Sequence, residues 1–267
     1  MNGENRLNQK ARALKQGAIR AMFDKARSME NVISMGIGEP DLETPAPICE
    51  ACAEALKKGF THYPPNAGLA MLREAVSKYG LPVPGMYSPN EIMITNGAMN
   101  ALSLLMNILL EPGDHVMIQD PQWLNYASQI EYYGGVADRV PADPDADFAL
   151  KAETIRKYYI PGKTKALMIN SPNNPTGHVM TRKELEDIAA LAQELDLLVI
   201  SDEVYNTLIF EDAEVVSIST LPGMRDRTII VNSFSKSYAM CGWRVGFAAG
   251  PEAIIDRMAK CQENFGP

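Results

Sequence analysis

Short apolar runs recur along this chain, and helical periodicity fills the intervals between them. The runs are Glu91–Thr95 (EIMIT), His115–Gln119 (HVMIQ), Lys165–Asn170 (KALMIN), Leu197–Ser201 (LLVIS), Thr228–Asn232 (TIIVN) and Arg244–Ala249 (RVGFAA). Met99–Leu110 and Leu185–Leu195 have the apolar spacing of helices, and Thr181 with Glu184 has capping-box spacing at the start of the second. This alternation predicts an α/β fold with a mainly parallel sheet. The first 40 residues read differently: a basic, helix-like segment, Leu7–Arg27, leads into the turn-rich GIGEPDLETPAP. They are expected to form an arm or part of a second domain (1–40) beside a main domain (41–267). Leu81–Pro89 reads as a turn-like linker.

Polar residues follow the predicted strands directly. Asn96-Gly97-Ala98 comes after the first, Asp120-Pro121-Gln122-Trp123 after the second, and Ser171-Pro172-Asn173-Asn174-Pro175-Thr176-Gly177 after the third. Asp202-Glu203-Val204-Tyr205 and Ser233-Phe234-Ser235-Lys236 follow the next two. In a parallel sheet these ends share one edge, where open α/β sheets bind ligands. Each group suits one feature of a ligand. Gly97 and Ala98 open a helix whose free N–H groups favour an anion. Ser233, Ser235 and Arg244 add hydroxyls and a guanidinium fork suited to phosphate oxygens. Trp123 suits a flat ring, Asp202 a protonated ring nitrogen, Tyr205 and Asn174 a ring hydroxyl, and Lys236 a Schiff base with an aldehyde. Together these features describe pyridoxal 5′-phosphate.

Composition excludes other classes. With 25 Lys and Arg against 33 Asp and Glu, the formal charge of −8 lacks the footprint of a nucleic-acid binder. The longest apolar run, Ala101–Leu110, is shorter than the roughly 20 residues a bilayer requires, so no membrane partner is expected. Four cysteines behind a polar N-terminus suggest free thiols in a reducing cytoplasm. Cys49 and Cys52 form a CxxC, but on a helix-like segment with no second pair or histidine pair they read as small residues on one face. His62, His115 and His178 have no ligand spacing and read as structural, so no metal is expected. Gly36-Ile37-Gly38 opens no helix and is not a dinucleotide fingerprint.

The stretches GIGEPDLETP, HYPPNAGLAMLREAV, TNGAMNAL, DPQWLNY, SPNNPTG, SDEVYNTLIF and SFSKSYAMCGWRVGFAAGP resemble, in order, the motifs of the fold-type I, class I/II aminotransferases. The resemblance implies a three-layer α/β/α sandwich with a mainly parallel mixed sheet as the large domain, and a small domain that is incomplete here. It makes Lys236 the Schiff-base lysine, Asp202 the partner of the pyridinium nitrogen, Tyr205 and Asn174 the ligands of the 3-hydroxyl, and Trp123 the stacking ring. Ser233, Ser235, Arg244 and the backbone at Gly97 and Ala98 would hold the phosphate. Tyr63 would reach the phosphate of a neighbouring subunit, implying a homodimer. Gly38, with Trp123 and Asn174, would meet the substrate.

Family members continue past the helix that begins near Pro251 and there supply an arginine for the substrate α-carboxylate. The expectation is therefore a complete cofactor site, low turnover and exposed apolar surface on Leu7–Arg27 and Ala253–Phe265. The activity implied is transfer of an amino group from an L-amino acid to a 2-oxo acid. The alternatives are a carbon–sulfur lyase on the same fold and a cofactor-binding domain with little turnover. Met99 stands where some aspartate-preferring relatives carry a lysine, which favours neutral or aromatic donors with 2-oxoglutarate as acceptor.

Overall fold

The structure is a computed structural model that describes residues 6–8, 11–12, 18–33, 36, 38–210 and 212–265. The chain divides into two compact units, Met1–Pro40 and Asp41–Pro267. In the first, helix α1 (Ala18–Arg27) carries Lys25 and Arg27 in its last turn, where cations complement the helix dipole. The remainder of the expected Leu7–Arg27 helix falls partly on residues 9–10 and 13–17, outside the described residues, as do Ile37 of GIGEPD and Gly266-Pro267.

The second unit is built on a single sheet. Among the described residues its strands are β1 (Ile92–Thr95), β2 (His115–Asp120), β3 (Val136–Pro141), β4 (Thr164–Asn170), β5 (Leu198–Asp202), β6 (Thr228–Ser233) and β7 (Gly246–Ala249). They lie in the order β1-β7-β6-β5-β4-β2-β3. Every pairing from β6 to β3 is parallel, whereas β7 runs antiparallel to both β6 and β1. The helices are α2 (Ala46–Lys57), α3 (Ala70–Ala75) continuing as a π-helical turn over Val76–Gly80, α4 (Ala98–Leu109), α5 (Asn125–Tyr132), α6 (Ala152–Tyr158), α7 (Arg182–Glu194), α8 (Phe234–Ser237) and α9 (Glu252–Gln262).

Successive strand residues point to opposite faces, and both faces are covered. Val116, Ile118, Met168, Ile200 and Val231 pack under α4, α5 and α9 through Leu105, Ile130, Ile255 and Met258. Met117, Leu167, Ile169 and Val199 pack on the other side against α6 and α7 through Ile155, Leu185 and Ile188. On that side too, Val76 and Tyr87 pack against Ile92, Ile230 and Phe247. Covering on both faces makes these strands read as unbroken apolar runs. The capping box forms as its spacing requires: Thr181 N–H donates to Glu184 Oε2 at 2.7 Å, and Glu184 N–H to Thr181 Oγ1 at 3.2 Å.

One strand is absent from the sequence reading. β3 is the edge partner of β2, and only Val140 of its six residues is fully buried. Asp138 and Arg139 therefore interrupt it where the central strands are apolar, and Asp138 spends its carboxylate on His115 Nδ1 at 2.8 Å.

The register aligns the polar strand ends. Gly246 pairs with both Thr95 and Ser233, and Asn170 pairs with Asp202. Because β7 runs backwards, its first residue meets the last residues of β1 and β6. A Cβ at Gly246 would stand 2.7 Å from Asn232 O, 2.8 Å from Gly97 C and 2.9 Å from Ala98 N. All three are backbone atoms that cannot rotate away. Gly246→Ala is expected to destabilise the fold by about 1–3 kcal/mol through overpacking, read as a lower urea midpoint; an unchanged midpoint would show that the junction can spread.

Candidate active site

Asp202 ends β5, a central strand, and is 3% exposed. Tyr126 OH, on α5, donates to its Oδ2 at 2.7 Å, and Val204 N–H to its Oδ1 at 3.2 Å. Burial pushes the carboxyl up to about 6, against the pull of these two donors. Burial and the adjoining carboxylate likewise hold the Tyr126 phenol well above its ordinary range, so it donates throughout the neutral region. Among the described residues, no ion pair joins Asp202 to a cation. Its neighbour Glu203 is also buried and lifted to about 7, mainly by desolvation, although Ser201 and Ser217 hydroxyls donate to it at 2.9 and 2.5 Å.

Asn170 ends β4 and links two segments. Its Nδ2 donates to the Asp202 carbonyl at 3.0 Å, and its Oδ1 accepts the Asn174 N–H at 2.8 Å. Asn174 is thereby held so that its Nδ2 donates to Tyr205 Oη at 3.1 Å. Burial raises the Tyr205 phenol above its ordinary value, with Asn174 pulling the other way.

An anion cradle lies where β1, β6 and β7 meet. Gly97 caps α4 with φ +80°, a conformation that costs glycine little, and a Cβ there would collide with the Arg244 guanidinium. The Gly97 N–H is already given to Thr95 O at 2.8 Å. Among the described residues the unclaimed donors at this helix start are the N–H groups of Ala98 and Met99, as expected for a first turn. Arg244 is exposed, has φ +56°, and directs Nη1 to Cys241 O at 3.0 Å and Nη2 towards Asn96 O at 3.4 Å. Ser233 Oγ accepts the Ser235 N–H at 2.9 Å and lies 2.7 Å from Ser235 Oγ.

Lys236 lies on α8, one residue past this serine pair, half-buried, with Nζ 4.0 Å from Cys241 Sγ. Trp123 is half-buried, edge-on to Tyr126 at 5.4 Å between ring centroids. Tyr63 is 89% exposed and makes none of these contacts, and Gly38 belongs to the first unit. Tyr126 and Asn170 were not singled out from the sequence, although Tyr126 stands three residues after Trp123 in DPQWLNY and Asn170 immediately before SPNNPTG. The cysteines are free, and no group of three or more His, Cys, Asp or Glu among the described residues is arranged to hold a metal.

The profile of the family "Aminotransferase class I and II" matches residues 30–265. An aspartate aminotransferase of Pyrococcus abyssi is 47% identical over 246 residues, covering 91% of this chain and 63% of that protein. An aromatic-amino-acid aminotransferase 2 of Thermococcus litoralis is 44% identical with the same coverage, 91% and 63%. A solved structure of the aspartate aminotransferase from Thermus thermophilus with maleate superposes with a TM-score of 0.90 at 37% identity, covering 97% of this chain and 68% of that one. The chain spans about 63% of the length of these curated relatives.

The buried carboxylate carries a consequence for stability. Asp202 titrates near 3.8 when solvated and near 6 in the fold, so between those values the folded chain holds a proton that the unfolded chain has lost. The Asp202 contribution to the stability of the cofactor-free protein therefore falls as pH rises through about 4 to 6, and it is fully lost above 6. Asp202→Asn, which keeps an acceptor for Tyr126, is expected to stabilise that form by on the order of 2–3 kcal/mol at pH 7 and not at all below pH 4. Thermal melts at the two pH values check this; equal melting temperatures at pH 7 would mean the carboxylate pays no desolvation cost.

Proposed function

We propose, from the premise that the chain belongs to the class I and II aminotransferases, that this strand-end site binds pyridoxal 5′-phosphate and transfers an amino group from an L-amino acid to a 2-oxo acid. The observation that carries the reading is a buried carboxylate with no cation partner among the described residues, sharing one sheet edge with an amine, an amide–phenol pair and an anion cradle.

The donor set suits that group. A carboxyl lifted to about 6 by burial regains its charge when set against a protonated ring nitrogen. The missing Cβ at Gly97 leaves room beside the Arg244 guanidinium and the free N–H groups of Ala98 and Met99, a combination suited to a phosphate dianion. When bound, the cofactor supplies an aldehyde for condensation with amines and a ring that draws electrons from the substrate Cα.

The chain's residues divide the remaining work. Lys236 Nζ would hold the cofactor covalently and, as a free amine, would carry the proton between the substrate Cα and the cofactor. Asp202 keeps the ring nitrogen protonated, and Tyr126 fixes the carboxyl in place. Asn174 and Tyr205 donate to the ring oxygen. Trp123 covers one ring face and excludes water. Ser233, Ser235, Arg244, Ala98 and Met99 hold the phosphate, with Gly97 giving it access. Trp123 and Asn174 meet the substrate, and Tyr63, so exposed in one copy, reaches the neighbouring phosphate in a homodimer.

The relatives' names point to both aspartate and aromatic amino acids. Met99, 38% exposed in the first turn of α4, supports neutral or aromatic donors with 2-oxoglutarate as acceptor. Cytoplasmic placement is supported by the free thiols. No described helix is long and apolar enough to cross a membrane.

Lys236→Ala is expected to lower amino transfer by at least the ~10²–10⁴-fold of general acid–base catalysis. Borohydride reduction should then no longer leave a pyridoxyl group on the chain. Wild-type turnover from this variant would remove Lys236 from the mechanism. A panel of amino-acid donors tests specificity: neutral and aromatic donors should outpace aspartate, and strong aspartate preference would overturn the inference from Met99.

A further inference from the structure

We propose that His178 is a positioning residue, a clasp that holds the Asn174 loop in its working shape. It follows SPNNPTG directly, and its ring is nearly as buried as the core, with 6% of the side chain exposed. Nδ1 lies 3.2 Å from Asp147 Oδ2 and Nε2 lies 3.0 Å from Glu184 Oε1. These carboxylates come from separate parts of the fold: Asp147 from the left-handed turn after β3, and Glu184 from the capping box of α7. The ring is thus wedged between two anchors outside the loop.

The backbone of the same residue closes the loop. The His178 carbonyl accepts the Asn173 N–H at 2.8 Å, and its own N–H goes to Thr176 Oγ1 at 3.2 Å. Within the loop, Asn173 Oδ1 accepts from the Thr176 N–H and hydroxyl at 3.2 and 2.9 Å, and Gly177 N–H donates to Asn173 O at 2.9 Å. Asn174 sits at the far side of this small ring, tied to Asn170 and reaching Tyr205. Its direction therefore depends on where the base of the loop is pinned, and His178 supplies the side-chain tie from that base to α7 and to the Asp147 turn. Burial alone would raise the Glu184 carboxyl, yet Thr181 and the His178 ring outweigh it and hold the group below its ordinary value. The tie to α7 is thus a charge-assisted one.

The proposal rests on the preceding reading only for what Asn174 contacts, and its test separates the two. Amide hydrogen exchange is followed in the cofactor-free protein. His178→Ala is expected to speed exchange at Asn173, Asn174, Thr176 and Gly177 by about ten- to a hundredfold, the effect of losing a hydrogen bond to a charged group. Exchange in β4 and β5 should not change. His178→Gln, whose side-chain amide still donates towards Glu184, should recover most of the protection. With pyridoxal phosphate added, the pH midpoint of the visible spectrum should move in His178→Ala and return in His178→Gln. Should His178→Ala not fold, Glu184→Gln, which keeps the capping-box atoms but not the charge, is expected to give a severalfold acceleration in the same loop. Wild-type exchange in the loop, or equal acceleration in loop and strands, would overturn the clasp. If the wild-type chain takes up no pyridoxal phosphate, the functional reading fails while the exchange comparison still decides the role of His178.

Discussion

Desolvation of the Asp202 carboxylate is the constraint around which the rest of the site is arranged. β5 carries this side chain to the middle of the sheet edge, where burial disfavours its charge. The fold answers with two donors, Tyr126 and Val204, which offset only part of the cost. A fully compensated carboxylate would be better for the empty protein and poorer for binding, since nothing would be gained by bringing a cation to it. The residual cost is a reserve that a cation brought against the carboxylate would release, the usual conflict between stability and function at a built site.

Around that group the polar contacts form a chain. Asn170 joins the Asp202 carbonyl to the Asn174 backbone, and Asn174 passes the connection to Tyr205. An amide can donate and accept at once, which is why asparagines occupy these joints. Each residue thereby fixes the next, and the loop after β4 is oriented by the ends of two adjacent strands as well as by His178 at its own base.

What could be read from the sequence follows from burial. β1, β2, β4, β5, β6 and β7 are covered on both faces and stand out as apolar runs, and their order implies one edge for the residues that follow them. β3 escaped because an edge strand keeps Asp138 and Arg139 half in solvent. Tyr126 and the anchors of His178 escaped for a different reason. A tyrosine three residues after Trp123 reads as core, and half of that is true, since its ring packs in the main cluster. That its hydroxyl meets Asp202 depends on β4 alone separating β2 from β5 in the sheet, a fact about neighbours in space. His178 likewise has one anchor 31 residues earlier, at Asp147, with no spacing rule to connect them.

The reversed strand β7 also sets an order of events during synthesis. Among the described residues β1 pairs only with β7, Ile92 opposite Ala249 and Thr95 opposite Gly246, so an early strand stays without that partner until residues more than a hundred and fifty positions later have been made. At ribosomal speeds of about 5–20 residues per second, that wait is on the order of ten to thirty seconds. The parallel strands from β2 to β6 can assemble as they emerge, but β7 must then enter the gap between β6 and β1 and bring Gly246 against Gly97. The nascent chain therefore holds an open seam until β7 has emerged, and the anion cradle comes into being only when that seam is shut.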